Sequence, residues 1–195
     1  MEFSTFHRQA LLHLAADIIR YRLAGPAGAV PAPQFPAVND PAFGQLAGCF
    51  TTLHDRVTHE LRGCVGRLDA TAPVWVAVRD SAMSCLTDPR FTSHPVTSDE
   101  IPRLELELSL LSPLMPRGNP LEFDPATEGI YLTIAGRSGC FLPQVARDTG
   151  WTREQLLDRL CQEKIGMPAG AWRMGAAMLA IFTAEILGPS PLASA

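Results

Sequence analysis

The sequence has none of the segments that mark nucleic-acid-binding, secreted or membrane-spanning proteins. It contains 16 Lys and Arg against 20 Asp and Glu, and no basic run that could neutralise a line of phosphates. Its first residues lack the basic and apolar segments of a secretory signal, and the apolar stretch 176–187 is too short to cross a bilayer. We therefore expect a cytoplasmic protein that binds neither nucleic acid nor a membrane.

Cysteine is infrequent and irregularly spaced, with five residues, an odd count, and no C-x-x-C pair. This pattern argues against a disulfide scaffold and against a zinc knuckle. Four residues of metal-ligand type, Cys49, His54, His59 and Cys64, do recur at intervals of five. A hairpin with its turn centred at 56–57 would hold the cysteine pair about 16 Å from the histidine pair, on opposite faces, so we expect no metal site.

The same hairpin register would make Cys49 and Cys64 direct cross-strand neighbours, within the distance that a disulfide spans. Two interpretations of this pair stay open: a redox pair, or two small buried hydrophobic residues side by side. A reducing cytosol and the odd count of cysteines favour free thiols. We therefore expect no disulfide within the native chain.

Periodicity and capping residues predict a mixture of helices and strands. Because 47% of the residues are hydrophobic, the chain can bury the core of one large domain or of two lobes. The predicted elements, in chain order, are a helix within 1–24 capped by Ser4 or Thr5, a proline-rich connection 25–41, strands 49–53 and 61–68, a helix 71–86 with Thr71 as cap, a strand 104–110, a hairpin about 136–139 and a helix 152–164 that stops at Gly166.

The clearest strand is LELELSL, 104–110, in which leucine alternates strictly with Glu105, Glu107 and Ser109. We expect the leucines to be buried and the polar residues to lie on the other face of the strand. The apolar tail 176–187 is ambiguous. Its alanines and leucines favour a helix, but a buried strand can have the same composition.

The stretch LRGCVG, 61–66, offers a candidate reactive group. The strand period of two places Arg62 and Cys64 on one face. A guanidinium close to a thiol favours the thiolate, and Gly63 and Gly66 leave room for a ligand or for another backbone. The alternative is structural: Arg62 forms an ion pair with Glu60 or with the acidic face of the 104–110 strand, and Cys64 fills a tight strand crossing.

Together with further motifs, this stretch resembles the AMMECR domain family, whose members include component A of the AmmeMemoRadiSam system. The resemblance covers about 48–187, and LRGCVG is its most specific element. Two residues depart from the family pattern: Glu128 stands where bacterial members usually have histidine, and Cys49 stands where a small residue is usual. The other matching stretches, in the family's order, are DPRF at 88–91, EIPRLELELSLLSP at 100–113, FLPQVA at 141–146, Trp151, LLDRLCQEKIG at 156–166 and Trp172.

The resemblance implies an α+β fold of two lobes, with a mostly antiparallel sheet packed by helices and a cleft between the lobes. It implies that 176–187 is a strand, and that residues 1–195 form a single AMMECR-type domain with its core at 42–187 and a tail at 188–195. It also implies a Memo-like protein and a radical S-adenosylmethionine enzyme as partners. No reaction is established for the family, so the resemblance indicates the fold far better than the function.

Two hypotheses for function follow. In the first, the protein is an enzyme or enzyme component that acts on a small molecule in the cleft, with Cys64 as nucleophile or redox thiol and Arg62 stabilising its anion. In the second, it is a non-catalytic module whose LRGCVG surface binds a ligand or a partner protein. No cofactor and no metal is assigned. The candidate binding residues are Gly63, Gly66, Arg90, Glu107 and Ser109.

Overall fold

The structure is a computed structural model that describes residues 3–25 and 39–193. The chain divides into two compact units, one containing Met1–Leu111 with Glu185–Ala195 and the other Ser112–Ala184. Both units combine helices with antiparallel strands. The prediction of an α+β fold in two lobes, with antiparallel strands packed by helices, is confirmed.

Within residues 3–25 and 39–193, the fold contains seven strands and four α-helices. The strands are β1 (Leu46–Asp55), β2 (Leu61–Pro73), β3 (Leu104–Leu111), β4 (Met115–Arg117), β5 (Glu128–Ile134), β6 (Arg137–Phe141) and β7 (Met178–Pro191). The helices are α1 (Thr5–Ala24), α2 (Val74–Ser84), α3 (Pro143–Thr149) and α4 (Arg153–Leu160). Short 3-10 turns at Cys85–Thr87, Pro89–Phe91 and Ser98–Arg103 connect α2 to β3.

Helix α1 begins and ends where its capping residues predict. The Ser4 hydroxyl accepts the backbone N–H of His7, and Gly25 follows the last turn with a positive φ of 73°. The buried face of α1 includes Leu11, Ile18 and other apolar residues of the first unit's core. Most of the proline-rich connection predicted for 25–41 lies outside the described residues.

Helix α2 starts later than the sequence predicts, and the prediction of Thr71 as its cap is wrong. Strand β2 continues to Pro73, which pairs with Leu46 of β1, so Thr71 belongs to the strand. Proline has no N–H to donate and a fixed φ, which suits the boundary before the first helical residue, Val74. Long-range strand pairing therefore overrides the local capping signal.

Strand β3 confirms the alternation predicted for 104–110. Leu104, Leu106 and Leu108 are fully buried in the core of the first unit, whereas Glu105 and Glu107 are half-buried on the opposite face. In the first unit, β1 pairs with both β2 and β3. The face of these strands that carries Glu107 also carries Cys64 of LRGCVG, because Thr52 pairs with both residues.

The second unit places β5 between β6 and β7, and β4 also pairs with β7. The predicted hairpin is correct in place, but its turn residues are Ala135 and Gly136. Gly139 lies inside β6, where a Cβ would come within 2.6 Å of the Lys164 Cβ. This close packing, rather than a turn, requires a glycine at that position.

The predicted helix 152–164 has two parts. Thr152 caps α4 by accepting the N–H of Gln155, and the chain continues past α4 as a single π-turn, Cys161–Ile165. Gly166 ends it with φ 72°, as predicted.

The apolar tail is a strand, as the family resemblance implied and against the helical preference of its alanines and leucines. Residues 178–183 of β7 pair with β5, and 179–181 also pair with β4, so backbone hydrogen bonds on both edges favour the extended conformation. In the described residues, 3–25 and 39–193, no helix is both long and apolar enough to cross a membrane.

Candidate functional site

The register of the β1–β2 hairpin differs from the register assumed in the sequence analysis. Cys64 lies opposite Thr52, and Cys49 lies opposite Arg67. The reason is the turn: the carboxylate of Asp55 accepts the backbone N–H groups of Val57 and Thr58, so the loop is longer than a turn centred at 56–57. Cys49 and Cys64 are therefore not cross-strand neighbours.

One row of side chains crosses three strands on the face that carries Cys64. Thr52 of β1 pairs with Cys64 of β2 on one side and with Glu107 of β3 on the other. Directly paired residues of antiparallel strands point to the same face. The Thr52 hydroxyl donates a hydrogen bond to the Cys64 sulfur, with an Oγ1 to Sγ distance of 3.4 Å.

The free edge of β2 is covered at Cys64 by the segment DPRF, 88–91. The Asp88 carboxylate accepts the Cys64 backbone N–H at 2.9 Å, and the Arg90 guanidinium donates to the Cys64 carbonyl at 3.1 Å. Asp88 and Arg90 also form an ion pair at 2.6 Å. Both backbone groups that a strand edge would leave unpaired at this residue are thus satisfied by one short segment.

Arg62 lies at an irregularity of the β1–β2 pairing, where Gly63 faces Leu53 and Leu61 faces His54, and its guanidinium is occupied by partners other than Cys64. It donates to both carboxylate oxygens of Glu100, at 3.0 and 3.3 Å, and to the carbonyl of His94. The Arg62 and Glu100 side chains are only 16% and 11% exposed. Arg62 therefore anchors the segment between α2 and β3 to strand β2.

The two glycines of LRGCVG lie against backbone of the same unit. A Cβ at Gly63 would come within 2.5 Å of the Cys85 carbonyl oxygen. A Cβ at Gly66 would come within 2.1 Å of the Cys49 carbonyl oxygen. Both positions exclude any larger side chain because a neighbouring chain segment already occupies the space.

The remaining predicted residues lie on β3. Glu107 is half-buried, and burial, the larger influence, raises its pKa above the ordinary 4.5; His54 opposes the rise and Glu105 adds to it. Ser109 is buried and lies two residues further along the same face. The structure thus brings Cys64, Glu107 and Ser109 to one face of three adjacent strands.

Comparison with known proteins identifies the chain. The model of the AMMECR1 family matches residues 12–187. A Methanocaldococcus jannaschii protein is 34% identical over 151 residues, 74% of each chain, and a Thermoplasma volcanium protein is 32% identical over 156 residues, 77% of this chain and 76% of its own. The chain belongs to the AMMECR1 family.

A solved structure of another AMMECR1-like chain supports the fold. The crystal structure of an uncharacterised protein from Pyrococcus horikoshii superposes with a TM-score of 0.73 at 30% identity, over 90% of this chain and 88% of that one. The stretches LRGCVG and DPRF contact each other in our structure, through Asp88, Arg90 and the Cys64 peptide groups.

Burial disfavours the thiolate form of four cysteines of the AMMECR1 chain. Burial raises the pKa of Cys49 and Cys85 to about 12, and it also raises the pKa of Cys140 and Cys161. All five cysteines are free. In the part of the chain that the structure describes, no group of three or more His, Cys, Asp or Glu residues is arranged to hold a metal ion.

The departure from the family pattern at Glu128 lies in the second unit. One carboxylate oxygen of Glu128 accepts the Asp124 backbone N–H at 2.8 Å, and the other lies 3.6 Å from the Arg117 guanidinium. Glu128 therefore serves the local structure at the start of β5. No catalytic role for this position follows from these contacts.

Thr52 and Asp88 are the site residues that the sequence analysis missed. In the sequence, Asp88 stands out only as part of the stretch DPRF, 88–91. Its buried position beside Cys64 depends on a long-range contact that leaves no local signal. The position of Thr52 beside Cys64 could have been predicted from the correct hairpin register. The available signal was Asp55, which begins the turn and stabilises it with its side chain.

Proposed function

We propose that the protein is an enzyme, or a component of one, in which the Cys64 thiolate attacks an electrophilic carbon of a small molecule. The Cys64 sulfur forms a bond to that carbon, and the electron pair displaced from the carbon stays on its heteroatom, which then takes up a proton. Glu107 and Ser109, on the same face as Cys64, orient the substrate. This role for Cys64 keeps the first of the two hypotheses from the sequence.

One observation carries the proposal: side chains contact both the sulfur and the peptide group of Cys64, which is half-buried. Thr52 donates to the sulfur, and Asp88 and Arg90 hold the peptide N–H and C=O. A hydrogen-bond donor and a nearby guanidinium both favour a thiolate, and a fixed backbone keeps its sulfur in one place. Cys64 is half-buried, whereas Cys49, Cys85 and Cys161 are buried.

Two guanidinium groups serve this site in the proposal. Arg90 holds the Cys64 backbone, since its guanidinium donates to the Cys64 carbonyl at 3.1 Å. Arg62, the candidate from the sequence, adds positive charge two residues away while it is held by Glu100. Gly63 and Gly66 act by allowing the close approach of neighbouring backbone that shapes the strand, and their role in binding stays a prediction.

A second candidate function is a non-catalytic binding module. Its support is that Arg62 is bonded to Glu100, and that both glycines of LRGCVG pack against backbone of the first unit. A motif whose members mostly serve packing would present a surface to a ligand or partner without any reaction at Cys64.

Alkylation of the native protein decides between the two functions. We expect iodoacetamide to label Cys64 first, with peptide mapping by mass spectrometry as the readout and Cys64→Ser as the negative control. Cys140 is the internal comparison, because it is also half-buried but burial raises its pKa. Labelling of Cys64 no faster than Cys140, or none in the folded state, would remove the nucleophile and leave the binding module.

The partners and the location rest on the family resemblance alone. We propose that the protein works in the cytoplasm beside a Memo-like protein and a radical S-adenosylmethionine enzyme, within a single AMMECR-type domain of residues 1–195. The test is affinity purification of the tagged chain from its own cells. Retention of both partners through a high-salt wash supports the association, and recovery of neither partner contradicts it.

A further inference from the structure

A cleft of about 710 Å³ lies within the first unit, along one face of helix α1. The residues that line it from α1 recur at the spacing of a single helix face: His13, Ala16, Asp17 and Arg20. The end of β7 and the residues that follow it, 190–193, also line the cleft, as does Arg56 directly after β1. A cleft of this volume accepts a small molecule rather than a lone ion.

Hydrogen bonds to Leu192 hold the parts of this cleft together. Leu192 is fully buried, and its backbone N–H donates to the Leu104 carbonyl at 2.8 Å. Its own carbonyl accepts the Nε–H of Arg20 at 2.7 Å. The chain after β7 is thus tied both to β3 and to α1. The cleft is therefore shaped by the fold itself, as most small-molecule sites are.

Arg20 is fixed in orientation but keeps part of its guanidinium for a ligand. Its Nη1 donates to the Asp17 carboxylate at 2.7 Å, its Nε bonds to Leu192, and its side chain is 25% exposed. Within residues 3–25 and 39–193, its Nη2 group has no hydrogen-bond partner. A guanidinium already held by two bonds loses little freedom when the third nitrogen binds a ligand.

Arg56 brings a second guanidinium to the cleft. Its backbone N–H donates to the Arg103 carbonyl at 2.8 Å, which fixes the start of the side chain. Among the described residues, the exposed Arg56 side chain has neither a hydrogen bond nor an ion pair. The Ser190 hydroxyl and the His13 ring, which also line the cleft, likewise have no partner in that part of the chain. Several donors are thus available in one cleft.

The charge of the cleft selects one class of anion. Asp17 balances the charge of Arg20, so Arg56 supplies one uncompensated positive charge. Guanidinium groups bind carboxylate and phosphate through paired N–H groups. A phosphate monoester carries about −1.5 to −2 charges near neutrality and would be repelled by Asp17, whereas a carboxylate carries one. The lining also includes apolar side chains, among them Leu12 and Pro191, which suit an apolar ligand body.

We propose that this cleft binds a small carboxylic acid in its ionised form, with the carboxylate held by the guanidinium groups of Arg20 and Arg56 and the apolar body against Leu12 and Pro191. Cys64 and the residues assigned to its chemistry do not line the cleft. The proposal therefore goes beyond the proposed function, and it stands or fails independently of any reaction at Cys64.

The measurement is a titration of the protein with sodium benzoate at constant ionic strength, followed by amide NMR spectra of the labelled protein. Benzamide, which is neutral and has nearly the same shape, and inorganic phosphate are titrated in parallel. We expect saturable shifts at residues 12–20 and 190–193. Benzoate should bind about tenfold or more tightly than benzamide, because only benzoate accepts charge-assisted hydrogen bonds. It should also bind more tightly than phosphate.

Arg56→Gln should weaken benzoate binding about tenfold and leave benzamide binding unchanged. The matched control is Arg22→Gln. Arg22 is an exposed arginine in the last turn of α1 that does not line the cleft, so its loss removes the same charge without removing a ligand contact. Arg56→Lys, which keeps the charge but not the paired N–H groups, should bind benzoate with intermediate affinity. Circular dichroism confirms that each variant is folded.

Asp17→Asn tests the charge argument. The amide oxygen can still accept from Arg20, but the negative charge that opposes a dianion is gone. Phosphate binding should become about threefold or more tighter, and benzoate binding should gain less.

Saturable shifts confined to the cleft, with benzoate affinity lost in Arg56→Gln and kept in Arg22→Gln, support the proposal. Equal affinities for benzoate and benzamide would mean that the cleft recognises no anion, and they would overturn it. Equal losses in Arg56→Gln and Arg22→Gln would overturn it as well, because the effect would then be one of overall charge. Phosphate bound more tightly than benzoate by the wild type, or unaffected by Asp17→Asn, would rule out a carboxylate site.

Discussion

Thr52 donates its hydroxyl hydrogen to the sulfur of Cys64 across the β1–β2 hairpin, at 3.4 Å. Its neighbour Thr51 points to the opposite face, where its hydroxyl lies 2.7 Å from the Ser81 hydroxyl in the core. Two adjacent threonines therefore have separate tasks, one at the candidate site and one in the core. The chain offers a matched pair of substitutions for testing them.

Thr52→Val should slow the alkylation of Cys64 at neutral pH about three- to tenfold, because the Cys64 sulfur loses its hydrogen-bond donor while the side chain at position 52 keeps its shape. Its unfolding free energy should change little. Thr51→Val should do the reverse, with a loss of about 1 kcal/mol in urea unfolding and no change in labelling. Equal effects of the two substitutions on labelling would contradict a specific role for Thr52.

Arg62→Gln should destabilise the protein by about 1–3 kcal/mol, because it leaves the Glu100 carboxylate, 11% exposed, with fewer donors. Burial works to raise the pKa of Glu100, but the bonds from Arg62 and Thr97 outweigh it and lower the pKa. Urea unfolding measures the loss. Arg67→Gln is the control, since its exposed pair with Asp69 should contribute at most about 0.5 kcal/mol; equal losses would show that Arg62 is not an anchor.

Local patterns in the sequence predict some elements well. The alternation at 104–110 gives both the strand and its buried face, because a period of two needs only adjacent residues. Ser4 and Gly25 similarly mark the ends of α1. These features are encoded within one or two turns of chain, so no knowledge of distant partners is needed.

Features that depend on distant contacts could not be predicted. The hairpin register follows from how Asp55 closes its turn. Relative to the register expected from the sequence, a shift of three residues places Cys49 opposite Arg67 instead of Cys64. The role of Asp88 likewise depends on a strand 24 residues earlier. That Cys64 and Glu107 of β3 lie on one face could be inferred only once the pairing of β1 with both β2 and β3 was known.

The two faces of the β1–β2 hairpin also separate Cys49 from Cys64. Ser81 of α2 donates to the Cys49 sulfur at 3.3 Å in the core, whereas Cys64 lies on the other face beside Thr52. The two sulfurs are therefore separated by the sheet. Alkylation without reductant, after denaturation, should modify five thiols by intact mass; a count of three would contradict the absence of a disulfide.

Glu107→Gln should make the protein more stable at neutral pH. Burial raises the pKa of Glu107 above 4.5, so the unfolded chain loses this proton more readily than the folded chain. The folded state therefore loses stability as pH rises from about 4.5 through the raised pKa, and a neutral amide removes that loss. We expect urea midpoints of variant and wild type to agree near pH 4 and to separate, variant higher, at about pH 7.

The control for this prediction is Glu60→Gln, in the exposed turn after β1, which should change the unfolding free energy by at most about 0.5 kcal/mol at either pH. If Glu107→Gln is instead less stable than wild type at about pH 7, the ionised carboxylate makes a favourable contact that outweighs its burial. A confirmed gain would mean that the site holds a carboxyl group that keeps its proton to higher pH than an exposed glutamate does. Such a group, one strand from Thr52 and two from Cys64, can supply the proton that the heteroatom of an attacked substrate requires.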